Sequence, residues 1–153
     1  AGAQVGILGN LAIGRGADGK CNRSVLSFDT SAIPDDATIT RAYVTVHYNT
    51  NAGNPWASPA GNSLVVDVKS GAYGATPNTE SGDWAAAAGA SNVASIARFT
   101  SGAKQSADFS AQGLAAIAKS GITQLKLRFA SDQTSSSLYL FITKNATLHV
   151  EYQ

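Results

Sequence analysis

The chain contains no methionine and a single cysteine, Cys21, and only 14% of its 153 residues are charged. An average soluble domain carries about a quarter. Its 11 basic and 10 acidic residues nearly cancel, leaving a net charge of +1. Nothing electrostatic therefore favours nucleic acid or an anionic membrane surface. No apolar run approaches the ~20 residues that span a bilayer, so membrane insertion is not expected. One cysteine excludes a disulfide within the chain; Cys21 is either a buried thiol or an intermolecular partner. With no methionine at position 1 and no signal peptide visible, the chain reads as a processed product.

Small residues take the place of the missing ones. The 27 alanines, 17 serines, 12 threonines and 15 glycines make up almost half of the chain. With Lys and Glu sparse, this mix suits an exported, extracellular or cell-surface protein. Hydrophobic residues at 44% are enough for the core of one domain.

Period-2 alternation dominates and long helical periodicity is nearly absent. From Gln4 to Gly14 the odd positions read Val5, Ile7, Gly9, Leu11 and Ile13. The clearest strand, Ile39 to Tyr48, sets Ala42, Val44, Val46 and Tyr48 against Arg41, Tyr43, Thr45 and His47. Further strands are expected at Ser24 to Phe28, Leu64 to Val68, Val93 to Phe99, Gln105 to Phe109, Thr123 to Phe129, Leu138 to Ile142 and Ala146 to Tyr152. Two short helices are expected in crossovers. One is capped by Ser81, with Ala85 to Ala88 as helix formers; the other is capped by Ser110 and carries Leu114, Ile117 and Ala118 on one face. The pattern predicts an all-β, jelly-roll-like β-sandwich.

The chemistry-bearing residues do not assemble into a motif. His47 and His149 fall on outward strand faces, and there is no GxSxG, HExxH or phosphate-cradling glycine loop. The few carboxylates, Asp35-Asp36 among them, fit turns better than acid–base pairs. Catalytic residues and enzymatic activity are not expected. No cofactor is expected either. A structural calcium would have only Asp29, Asp35, Asp36 and Asp132 to draw on, without the spacing of a calcium loop. A polysaccharide would need exposed aromatic rings: Tyr43 on a strand, Trp56 and Tyr73 on loops. Trp84, beside the alanine run, is expected to anchor the core. Asn22-Arg-Ser24 and Asn145-Ala-Thr147 match the acceptor pattern for N-glycosylation.

Arg23-Ser-Val-Leu-Ser-Phe-Asp-Thr-Ser-Ala-Ile-Pro34, followed by Ala37-Thr-Ile-Thr-Arg-Ala42, resembles the DNRLRE-type modules of bacterial secreted proteins, relatives of family 96 carbohydrate-binding modules. Leu64-Val-Val-Asp67, Gly71-Ala-Tyr-Gly74, Asp83-Trp-Ala-Ala-Ala87, Gly121 to Phe129 and Leu148-His-Val-Glu-Tyr152 extend the similarity over most of the chain. The resemblance implies a jelly-roll-like sandwich and a non-catalytic module, in some relatives a polysaccharide binder. Two departures stand out. Ala130 to Ser137 holds only Asp132 where such modules carry an acidic run. The strand that normally precedes the segment aligned with Val5 to Ile13 is not supplied.

One sheet is therefore expected to lack an edge strand. Burying Val5, Ile7, Leu11 and Ile13 contributes ~1.5–3 kcal/mol each, against a domain stability of only ~5–15 kcal/mol, so the segment must be buried somewhere. It pairs either within its own sandwich or with a neighbour by β-strand addition. Gly9 suits a close backbone approach. The division expected is residues 1–14 as a donor strand and 15–153 as the sandwich. The function expected is that of a structural subunit, polymerised head to tail with copies of itself through Val5, Ile7, Gly9, Leu11 and Ile13. The alternative is a carbohydrate-binding accessory module using Tyr43, Trp56 and Tyr73.

Overall fold

The alternation at Ile39 to Tyr48 sets the frame of the fold. Ala42, Val44 and Val46 are fully buried, while Arg41, Tyr43, Thr45 and His47 stay half-exposed on the other face. The strand that carries them runs on to Ala52, as β5 (Ile39–Ala52). The computed structural model describes residues 2–4, 10–78 and 80–153. In chain order the other strands are β1 (Gly2–Gln4), β2 (Asn10–Arg15), β3 (Cys21–Asn22), β4 (Ser24–Asp29), β6 (Leu64–Ser70), β7 (Ala90–Ile96), β8 (Ala103–Gln105), β9 (Ile122–Phe129), β10 (Leu138–Thr143) and β11 (Thr147–Tyr152).

They form two antiparallel sheets packed face to face, an all-β sandwich. One has the order β1-β4-β9-β6-β7; the other has β11-β5-β10-β2-β3, with β8 also paired to β5. Inward-facing Leu26, Leu64, Val66, Leu125 and Leu127 of the first sheet meet Ile13, Val44, Leu140 and Ile142 of the second, all fully buried. The register puts Leu26 opposite Leu125 and Ile13 opposite Leu140, so equal-sized branched side chains stack in layers.

Local chemistry explains where the elements differ from expectation. Ser110 caps helix α1 (Ala111–Ala115) by accepting from the Gly113 amide at 3.3 Å, as the sequence suggests. The alanine run after Trp84, however, does not form a helix. A 3₁₀ turn over Ser81–Trp84 stands there, with Glu80 and Asp83 capping each other reciprocally. The Trp84 and Ala86 carbonyls, which would accept the helix's own bonds, accept instead from Arg23 Nη1 at 2.9 Å and Lys126 Nζ at 2.8 Å respectively. Alanine alone offers no face whose burial would restore a helix.

The two lateral sides of the sandwich are finished differently. On one side the segment 103–110 stitches the sheets together: Ser106 and Phe109 donate their amides to Val44 and Ala42 of β5, and Ala107 and Ser110 donate to Ser95 and Val93 of β7. Phe109 is buried there, and Gly113 comes so close that a Cβ would sit 2.7 Å from the Val93 Cβ. On the other side, among the described residues, β1 pairs with Leu26 to Phe28 of β4, and β11 pairs with β5 and no second strand.

Candidate assembly site

The donor segment expected from the alternation is placed in parts. Leu11 and Ile13 point into the core from β2, 7% and 0% exposed, and β2 is bonded along its length to β10 of the same chain. Gly2–Gln4 pairs with β4, again within the chain. Val5, Ile7 and Gly9 lie outside the described residues. The odd-numbered apolar row is thus real at its far end, where it already fills a place in its own sheet.

Among the described residues the sandwich is open past the end of β4. Thr30 and Ile33, just past β4, form one lip of a cleft of about 190 Å³; Leu148, Val150 and Tyr152 of β11 form the other. Leu148 and Val150 face inward and pack against the core, yet both are only half-buried, and Tyr152 is 46% exposed. Among the described residues no strand pairs with the second edge of β11. An edge with unpaired amides and carbonyls beside an apolar floor is a template for another strand.

The lips are held in place. The Thr30 amide and hydroxyl both donate to the Gly121 carbonyl, and its hydroxyl lies 2.9 Å from that of Thr123. Asp29 accepts from the Ser31 hydroxyl at 2.6 Å and amide at 3.0 Å, bonds that lower its carboxyl pKa. On the outward face, Arg41 makes a forked contact to Asp108 at 2.9 and 3.0 Å and reaches Glu151 at 3.1 Å. His149 lies 3.1 Å from the same Glu151 and stacks on Tyr43 with ring centroids 4.6 Å apart. The His149 contact, then the Arg41 one, holds the Glu151 carboxyl below its ordinary pKa.

Two of the three expected glycan-stacking rings are elsewhere. Trp56 is only 9% exposed, edge-on to Phe129 and Phe99 with centroids 5.4 and 6.1 Å away. Pro55 opens a 3₁₀ turn that swings the indole under the loop. Tyr73 is 5% exposed beneath the Lys126 ammonium, 4.1 Å from the ring centroid, and burial raises its hydroxyl pKa strongly. Tyr43 does lie at the surface, with its ring occupied by His149 and the Arg41 guanidinium 4.9 Å from its centroid. Loop residues have no periodicity to give their facing, so nothing in the sequence separates a buried loop aromatic from an exposed one.

Trp84 reverses its expectation: it is 41% exposed, not a core anchor. Its indole N–H donates to the Cys21 carbonyl at 2.9 Å, and the Arg23 guanidinium lies 3.8 Å from the ring centroid. Cys21 is half-exposed at the start of the short β3; burial, then the Asp132 carboxylate, raises its thiol pKa, which favours the unreactive thiol form. Among the described residues no three His, Cys, Asp or Glu side chains gather as a metal site would need, and Asp29 serves its turn.

Neither a scan against protein-family models nor a search of curated proteins finds a match to this chain.

Proposed function

We propose that the protein is a non-catalytic structural subunit of an extracellular or cell-surface polymer, joined to its neighbour by β-strand addition. The observation that carries this reading is the open side of the sandwich. There, among the described residues, an edge of β11 that no strand pairs stands beside half-buried Leu148 and Val150. The occupant is the N-terminal segment of a second copy. Residues 1–14 carry no charged side chain, and Val5, Ile7 and Gly9 alternate as a strand laid on an apolar floor requires. Because β2 belongs to its own core, the part that can be lent lies before Asn10. The β1–β4 pairing that one chain makes with itself is the contact to be exchanged between copies, as in domain swapping.

Composition supports the same setting. A surface of Ser, Thr, Ala and Gly with few like charges lets copies pack without strong repulsion. The resemblance to modules of secreted proteins agrees with an exported subunit. The carbohydrate-binding reading loses ground because Trp56 and Tyr73 are buried.

The test is deletion of residues 1–9, which leaves β2 intact. The full chain is expected to form filaments by negative-stain microscopy, and the truncated chain a monomer by light scattering. Polymer formed by the truncated chain overturns the reading.

A further inference from the structure

Two stretches of the chain match the N-glycosylation pattern, and their surroundings differ sharply. Asn22 lies half-buried in β3, and its Nδ2 donates to the Gly14 and Lys20 carbonyls, both at 3.3 Å. Ser24, two residues on, is 4% exposed, and its hydroxyl donates to the Ala12 carbonyl at 2.9 Å. Both groups that a glycosyl-transferring enzyme must engage are spent within the sheet formed by β2 and β3 and on its seam with β4. Modifying Asn22 in the folded protein would mean opening that seam.

Asn145 is the opposite case. It is exposed in the short connection between β10 and β11, its amide donating to the Thr143 hydroxyl at 3.3 Å. Neither its carboxamide nor the Thr147 hydroxyl makes a hydrogen bond among the described residues, and Ala146 between them packs against the core, fixing the turn. Thr147 opens the exposed row Thr147, His149, Glu151, the face turned away from the Leu148–Val150 cleft. A bulky group there stays in solvent and leaves the cleft accessible.

We infer that Asn145 is the acceptor of an N-linked glycan, and that Asn22 is not. The donor is an oligosaccharide on a lipid diphosphate. A bond forms between Asn145 Nδ2 and the anomeric carbon, the bond from that carbon to the diphosphate oxygen breaks, and the amide proton leaves with the lipid diphosphate product. The inference rests on the proposed export, because such donors face the exterior.

The experiment uses the protein isolated from its own cells, fractionated into intracellular and external pools and cleaved with trypsin. Cleavage after Lys144 releases a peptide that begins at Asn145. In the external pool that peptide is expected to be heavier by whole sugar residues, with the Asn22 peptide unmodified. Asn145→Gln removes the added mass, and Asn22→Gln leaves it in place. An external protein whose Asn145 peptide is unmodified, or with sugar on Asn22, overturns the site. A protein found only inside the cell overturns the export on which the site rests.

Discussion

The two lateral sides of this sandwich solve the problem of exposed strand edges in opposite ways. On the closed side, segment 103–110 lends alternate amides to β5 and β7, so both sheets end on one shared piece of chain. On the open side, β1 pairs with Leu26 to Phe28 of β4, and among the described residues no strand pairs with the second edge of β11, over half-buried Leu148 and Val150. The proposed function makes this second side the place for a partner. The comparison yields a separation of effects: substitutions on the closed side should cost stability, and those on the open side should cost assembly.

Phe109→Ala is the strongest way to break the closed side. The ring is 5% exposed beneath the segment that joins the sheets, and its loss is expected to destabilise by about 3–5 kcal/mol, read from denaturant unfolding. Gly113→Ala comes next. Its new Cβ would meet the Val93 Cβ at 2.7 Å, so either α1 or β7 must move, at about 1–3 kcal/mol. Both variants should polymerise whenever they are folded; a folded Phe109→Ala protein that stays monomeric would erase the distinction between the sides.

Val150→Glu tests the open side. The side chain is already half in solvent, so the expected loss of stability is about 1 kcal/mol or less. A carboxylate on the floor of the cleft must be desolvated by an incoming strand, and filaments are expected to disappear. Normal filaments from this variant would move the interface elsewhere.

The same contrast shows what the residues disclosed in advance. Strands with one wet face were legible, because a period of two survives wherever one side meets solvent: β5 and β11 lie where the alternation put them. The Ser110 cap was legible from local chemistry. The facing of Trp56, Tyr73 and Trp84 was not. Each sits outside the strands and the α-helix and is oriented by distant partners: Phe99 and Phe129, Lys126, and Arg23 with the Cys21 carbonyl. The apolar row of the N-terminal segment was legible as a strand, but alternation says nothing about whose sheet it joins. The open cleft depends on β4 and β11, separated by more than a hundred residues, and only the fold brings them together.

Arg41 joins the two sides and gives the smallest, most specific effect. From β5 it holds Asp108 on the closing segment and Glu151 on the open-edge strand. Glu151 has a carboxyl pKa below the ordinary 4.5, held there by His149 first and Arg41 second. A carboxylate whose folded pKa is depressed adds stability that is present above its unfolded pKa and fades as pH falls through the folded value. The wild-type protein should therefore lose melting temperature as the pH drops below about 4.5, and Glu151→Gln should lose less over the same span. The pair is exposed to solvent, so the difference will be small and will shrink with added salt. Because Glu151 belongs to the strand that would accept a neighbour, the acid sensitivity of filaments should follow Glu151 more closely than that of monomer unfolding does. Filaments of Glu151→Gln that dissolve at the same pH as wild-type filaments would place the acid-labile contact outside the β11 edge.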